Sequence, residues 1–359
     1  MQIHQISPSI AYGDAISNHI YEMDIRFRKW GYDSHIFVQQ AKGYQPVGAR
    51  VQSHDELEKV LHHRDDLFIY HYGIYHSSVD LFQKARGHKI LIYHNITPAH
   101  FFTGWDLHSE KICNIGRAYL QCLTDCEFAI GDSDFNRQEL VDAGFDATKT
   151  AVLPIFLTLE TFAALPIDEQ LIQSLQQDNK VNWLTIGRIA PNKAIEEVIR
   201  TFYVYHTHLN PNSHLHLIGA SHIPAYQEAL TALITELGLT EHITFAGKVS
   251  NAQLKTYYTY ADLYFTASRH EGFCVPLIES MHFNLPILAN NSTAIPETLG
   301  DSGILFTHLG YEEVATMAHL ITSDPHLKQK ILAAQQKRLD AFAPNQVETI
   351  LRNLIKPFV

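Results

Sequence analysis

Four residues carry the chemistry for which this sequence can be read: Arg188, Lys193, Glu271 and Glu279. The two carboxylates stand eight residues apart in Ser-Arg-His-Glu-Gly-Phe-Cys-Val-Pro-Leu-Ile-Glu, residues 268–279. An apolar run, residues 261–267, precedes them and reads as a buried strand. Pro276 then marks the first turn of a helix, because proline there leaves no orphan N–H. Strand, short loop and helix start together make a positive helix N-terminus, which suits phosphate. Glu271 would lie on the loop and Glu279 inside the helix, both within reach of one elongated ligand. The structural alternative makes Glu279 a first-turn dipole partner and Glu271 a solvated loop residue. Arg188 and Lys193 are five residues apart in Gly-Arg-Ile-Ala-Pro-Asn-Lys, at another strand's carboxyl end. A planar guanidinium fork and a compact ammonium together suit a diphosphate. Cations in a helix's first turn oppose its dipole, so their presence there points to a ligand rather than to stability.

The elements that must position these residues alternate along the chain. Strands are expected at Gln2–Ile6, Ser34–Val38, Leu67–His71, Lys89–His94, Glu127–Gly131 and Thr150–Pro154, with a turn at Ser7-Pro8. Helical stretches intervene at Ser77–Ala85 and Arg137–Ala143 and after Asp14. After an aperiodic stretch, Thr158–Pro166, that reads as a linker, the alternation restarts at Trp183–Gly187. It continues through Leu215–Gly219, Ile243–Gly247, Leu263–Ala267, Leu285–Ala289 and Gly303–Phe306. A helix is expected from Pro191 onward, and helices fill Glu312–Ile355, broken near Pro325 and Pro344. Such alternation predicts parallel sheets covered on both faces. Ligands of these sheets bind at the carboxyl ends of the strands. The expected division is residues 1–160, residues 161–340 and a C-terminal helix, 341–359, that crosses back to the first half.

At 359 residues, two domains are the natural expectation. A composition of 46% hydrophobic and 18% charged residues is that of a soluble globular protein, and the net charge of −11 disfavours nucleic acid. The first eight residues lack a signal peptide's basic start, and no apolar run approaches the roughly 20 residues that span a bilayer. Cys113, Cys122, Cys126 and Cys274 form no CxxC pair and fit a reducing, cytoplasmic compartment; Cys122 and Cys126, one helical turn apart, read as buried thiols rather than as the start of a metal site with a histidine. Among the 23 histidines, His62-His63 and His206/His208 lack a ligand set at zinc-like spacing. Arg26-Phe-Arg-Lys-Trp30 is a basic–aromatic cluster that could touch an anionic membrane surface, so the expected location is cytoplasmic, at most peripheral at the inner face.

With both charged pairs in place, residues 181–306 resemble the retaining glycosyltransferases of family 4, the group 1 enzymes. The resemblance is carried by Gly187-Arg188 with Lys193, by Glu271-x7-Glu279, and by Leu285-Pro286-Ile followed by Ile295-Pro296-Glu297 and Gly300-Asp301-Ser-Gly303. In the first half it rests on the loop at Gly13, the strand ending at His94, and Ser133 with Asn136. It implies a GT-B fold: two doubly wound Rossmann-like domains facing across a cleft. It implies transfer of a hexosyl unit from a UDP- or GDP-linked sugar to a saccharide or lipid-linked saccharide, in cell-surface polysaccharide synthesis. Arg188 and Lys193 would hold the diphosphate, Glu271 the sugar hydroxyls and Glu279 the ribose. Gly13, Gly187, Lys248, Val249, Phe273, Cys274 and Val275 would complete the donor site, largely through backbone. Asp14, His94 and Asn95 would lie on the acceptor side, with His94 near the reacting sugar. No metal or other cofactor is implied. The sequence departs from the family where Tyr12-Gly13-Asp14 replaces paired glycines and where Cys274 replaces a glycine; in a phosphate pocket that thiol's pKa would fall. Rival readings are a metal-dependent transferase using Asp132-Ser133-Asp134, a sugar phosphorylase, a nucleotide-sugar epimerase and a non-catalytic partner subunit.

Overall fold

A computed structural model describes residues 1–11, 14–42 and 48–359. The chain divides into two compact units, Met1–His100 with His108–Leu157 and Phe342–Val359, and Phe101–Leu107 with Thr158–Ala341. The short excursion Phe101–Leu107 into the second unit has no signature in the sequence pattern.

The first unit is built on β1 (Gln2–Ala11), β2 (Asp33–Lys42), β3 (Val51–Ser53), β4 (Leu67–Tyr72), β5 (His88–Tyr93), β6 (Phe128–Gly131) and β7 (Thr150–Val152). They pair in parallel in the order β3-β2-β1-β4-β5-β6-β7. Buried on both faces, such strands read as continuous apolar runs, as Leu67–Tyr72 does: all six residues are buried. Ser7-Pro8, expected as a turn, instead lies inside β1. β4 pairs with β1 only as far as Ile6, so the missing N–H of Pro8 removes no ladder bond on that side. The edge strand β3, three residues long, carries no periodic signal.

The helix Pro344–Ile355 packs into the first unit's core. Val347, Leu351 and Ile355 lie with Ile3, Phe27, Ile69 and Ile92 in one apolar cluster. This helix also uses the basic–aromatic cluster. Trp30 Nε1 donates to Glu348 Oε1 at 3.1 Å, Arg26 sits 4.0 Å over the Phe156 ring, and Arg28 pairs with Asp24 at 2.7 Å. Those side chains are committed to the fold, leaving Lys29 as the well-exposed cation of the group. No helix among the described residues is long and apolar enough to cross a membrane.

The second unit holds β8 (Val181–Ile186), β9 (Ser213–Ile218), β10 (Ile243–Gly247), β11 (Leu263–Thr266), β12 (Ile287–Asn290) and β13 (Ile304–Phe306). Their order is β10-β9-β8-β11-β12-β13, again parallel. The stretch expected as a linker contains a short helix, Leu159–Ala163, and Phe162 packs on this unit's core. Strand order reverses direction between β8 and β11 here and between β1 and β4 in the first unit. These are the switch points at which doubly wound sheets open a crevice beyond the strand ends.

Candidate active site

Arg188 and Lys193 follow β8 and Glu271 follows β11, so the three stand on either side of the second unit's switch point. The structure bolts their two loops together. Lys193 Nζ lies 2.5 Å from Glu271 Oε1. The Asn192 carbonyl accepts the Arg269 N–H at 2.9 Å and the Ser268 hydroxyl at 3.3 Å, while Asn192 Nδ2 donates to the His270 carbonyl at 3.2 Å. The Glu271 N–H donates to Thr293 Oγ1 at 2.8 Å. Asn192, Ser268, His270 and Thr293 therefore position the charged pair. Asn192 and Ser268 flank Lys193 and Glu271 in sequence, but nothing in the spacing says that the two loops meet.

Two local expectations change. Lys193 is not in a helix's first turn: Pro191–Lys193 is a separate 3₁₀ turn, and Ala194 breaks the chain at φ 49° before the helix Ile195–Val204. Glu196 and Glu197 occupy that first turn, as the dipole favours. Lys193 instead folds back over Gly187, where an added Cβ would sit 3.6 Å from the lysine Cε. Glu279 likewise sits outside the first turn of its helix, Val275–His282, so the dipole-partner alternative falls. Its Oε2 accepts the Tyr258 hydroxyl at 2.6 Å, and burial pushes its carboxyl pKa up. Glu271, 9% exposed and paired, is no solvated loop residue.

Arg188 is exposed and makes no hydrogen bond or ion pair with any described residue, which leaves its fork of donors for a ligand. Gly187 and Gly219 let the ends of β8 and β9 close up, since a Cβ on Gly219 would fall 1.8 Å from the Gly187 carbonyl oxygen. Beyond β10, Lys248 is exposed and Val249 packs on the core. Phe273 is buried, its carbonyl taken by Thr298 Oγ1 at 2.7 Å. Cys274 caps the following helix in the left-handed region, φ 68° and ψ 63°, which explains why glycine suits this position. Val275 opens that helix. Contrary to the expected depression, burial, with Glu271 adding to it, pushes the Cys274 thiol well above its ordinary value.

In the first unit, Gly13 lies outside the described residues. Asp14 is the N-cap of the helix Ala15–Lys29, its Oδ2 accepting both the N–H and the hydroxyl of Ser17. Asn95, at φ 73°, donates to Asn136 Oδ1 at 2.9 Å and to Glu139 Oε2 at 2.8 Å. His94 is buried with both ring nitrogens engaged. Nδ1 lies 2.9 Å from Asp132 Oδ2, and Nε2 lies 2.9 Å from His71 Nδ1. His71 in turn reaches Gln5 Oε1 at 3.1 Å, and Gln5 donates to the Ile20 carbonyl. Burial, with His94 and His19 nearby, holds His71 neutral, its pKa well below the usual imidazole value. The same contacts use up the Asp132-Ser133-Asp134 motif. Asp132 faces His94, the Ser133 side chain caps the helix Asp134–Asp142, and Asp134 pairs with Arg137 at 2.6 Å.

Residues 167–338 match the model of the family Glycosyl transferases group 1. The second unit is a group 1 glycosyltransferase domain. The matched span contains Arg188, Lys193, Glu271 and Glu279. O-antigen chain mannosyltransferase B of Escherichia coli is 23% identical over 258 residues, covering 70% of this chain and 65% of that protein. The serotype-specific mannosyltransferase WbdA of Escherichia coli is 26% identical over 233 residues, covering 64% of this chain and 27% of that protein. The chain thus aligns with about two-thirds or less of the length of these curated relatives. The structure of Anabaena Alr3699/HepE in complex with UDP and glucose superposes with a TM-score of 0.79 at 16% identity, covering 99% of this chain and 100% of that one. The group 1 domain and the unit before it have the GT-B fold.

Proposed function

We propose that this protein is a retaining glycosyltransferase that moves a hexosyl unit, mannosyl foremost, from a UDP- or GDP-linked sugar to a saccharide or lipid-linked saccharide in cell-surface polysaccharide synthesis. The observation that carries the reading is the Lys193–Glu271 contact at the β8/β11 switch point, beside an Arg188 with no partner among the described residues. A cation tied to a carboxylate offers two chemistries at one spot. Lys193 and Arg188 meet the diphosphate, and Glu271 accepts from sugar hydroxyls. Glu279, whose Oε2 accepts the Tyr258 hydroxyl, takes the ribose hydroxyls in this reading. The names of the curated relatives favour mannose and O-antigen-type acceptors. The UDP and glucose bound by Alr3699/HepE support a nucleoside-diphosphate-sugar donor.

In the reaction the anomeric C–O bond to the diphosphate breaks and a bond from the acceptor oxygen to the same carbon forms. The acceptor's proton passes to the leaving diphosphate on the same face. Charge develops on the diphosphate as the bond stretches, and preorganised cations aimed there supply the largest stabilisation. No divalent ion at the diphosphate is part of the reading. Asp132 and Asp134, the rival metal-binding carboxylates, are already paired with His94 and Arg137.

The test is transfer by the purified protein from a panel of GDP- and UDP-sugars to saccharide acceptors, with the product anomer assigned by NMR and chelator present throughout. Product with the donor's anomeric configuration is expected. An inverted anomer sinks the retaining mechanism, and sugar 1-phosphate formed only with inorganic phosphate makes the protein a phosphorylase. If no nucleoside diphosphate raises the melting temperature, the donor assignment fails.

A further inference from the structure

At the amino ends of the first unit's strands, the edge opposite His94, three side chains converge that the reading above does not use. His4 Nε2 lies 3.0 Å from Asp66 Oδ2, and His63 Nδ1 lies 2.9 Å from the same oxygen. All three ligand atoms fall within 4.8 Å of one another. We propose that His4, His63 and Asp66 form a site for one zinc-class divalent transition ion, a clamp on the fold independent of sugar transfer.

Two imidazoles and one carboxylate suit zinc, with a fourth position for water, better than the all-oxygen shells of magnesium or calcium. Bonds of about 2.0–2.2 Å in a tetrahedron put ligand atoms about 3.3 Å apart. To admit the ion, the two short separations open by a few tenths of an ångström, and the two imidazole nitrogens, within 4.8 Å of each other, draw together.

The ligands are held in advance by backbone. Asp66 Oδ1 accepts the Gln2 N–H at 2.8 Å, the Asp66 carbonyl accepts the His88 N–H at 2.9 Å, and the Arg86 N–H donates to the Leu61 carbonyl at 2.9 Å. Gly87 permits this: a Cβ there would lie 2.1 Å from the Asp66 carbonyl oxygen and 2.9 Å from that of His63. Any other residue at 87 would push away the loop that carries two of the three ligands. The site also has an entry path. The His4 and Asp66 side chains are 1% and 7% exposed, whereas that of His63 is 43% exposed, so an ion arrives and keeps its water on the His63 side. The pair His62-His63 shows no partner at zinc spacing in the sequence; the partners of His63 are Asp66, three residues on, and His4, at the same end of the neighbouring strand β1. An ion here would tie the start of β1 to the lead-in of β4.

The test uses the full chain freed of metal with chelator, then titrated with zinc and with cobalt(II). One equivalent of zinc is expected to bind and to raise the melting temperature. Cobalt should give the intense visible bands of a four- or five-coordinate ion. His63→Ala, at a half-exposed loop position that threatens no core, should weaken zinc binding at least about tenfold and abolish both signals, while His62→Ala leaves them intact. Unchanged binding by His63→Ala, equal loss in His62→Ala, or a weak octahedral cobalt spectrum would overturn the site. Nucleotide binding is read on the same samples, so loss of the metal site and loss of the donor site are told apart.

Discussion

Lys193 Nζ touches Glu271 Oε1 at 2.5 Å although the residues are 78 apart in the chain, and this contact joins the turn after β8 to the loop after β11. Neither side chain is fully buried, at 19% and 10% exposure, so the pair is partly screened. Each partner limits the other's freedom, so in the proposed reading a donor's diphosphate and sugar would meet side chains that are already placed.

Lys193→Ala is expected to lower turnover by about 10²–10³-fold, the scale of losing one donor aimed at developing charge. Near wild-type turnover removes the diphosphate assignment. Lys193→Met and Glu271→Gln should each cost about 1–2 kcal/mol of stability by stranding the other partner. The double variant should lose less than the sum by about 1 kcal/mol, read from urea midpoints as a double-mutant cycle. Strict additivity would mean that the contact contributes nothing.

Cys274 combines a left-handed backbone with a buried thiol whose pKa burial raises. Cys274→Gly should retain activity and stay within about 1 kcal/mol of wild type, since strain relief offsets lost packing. Cys274→Val should cost about 1–2 kcal/mol, a branched side chain being poorly tolerated at that φ. A thiol-alkylating reagent at neutral pH should label the exposed Cys122 first and leave Cys274 unmodified; of Cys122 and Cys126, both expected to be buried, only Cys126 is. Fast labelling of Cys274 in the folded protein would contradict its burial.

The sequence pattern carries the sheets because parallel strands buried on both faces are largely apolar, as at Leu67–Tyr72, where His71 is the one imidazole in the run. It misses β3, too short to show a period, and it misreads Ser7-Pro8 because proline's lost N–H matters only where a neighbour strand pairs. At the site, Arg188, Lys193, Glu271 and Glu279 stand out by residue type. What orients them does not. Asn192 grips the backbone of Arg269 and His270, and His71 engages His94 from a neighbouring strand; both are products of sheet order rather than of local spacing. Lys193 lies outside a helix's first turn for the complementary reason. A single left-handed residue, Ala194, shifts the helix start past it, and alanine gives no warning of that.

His94 has no ring nitrogen left for a substrate while Asp132 and His71 hold it. Asp132→Ala should destabilise the first unit by about 2–4 kcal/mol, because a buried imidazole loses its carboxylate partner. Asp132→Asn, whose Oδ1 still accepts from Nδ1, should cost appreciably less. Equal urea midpoints for the two variants would show that the pair is not made. His71→Phe removes the contact at Nε2, and it should change turnover through the position of His94 while nucleotide affinity stays unaltered.

His216, on β9, is buried against Tyr257, with Nε2 3.0 Å from Asn182 Oδ1, and burial lowers its pKa from 6.5 to about 3. The unfolded chain therefore binds a proton between those values that the folded chain refuses. Stability is full above about pH 6.5 and falls as the pH drops toward 3, by up to about 1.4 kcal/mol per pH unit for one such group. His216→Gln keeps a donor for Asn182 and does not titrate. Between pH 6 and 4 its unfolding free energy should fall less steeply than wild type, by close to one proton's worth, in urea titrations at stepped pH. Parallel slopes for the two proteins would mean that the buried imidazole is not what the acid attacks.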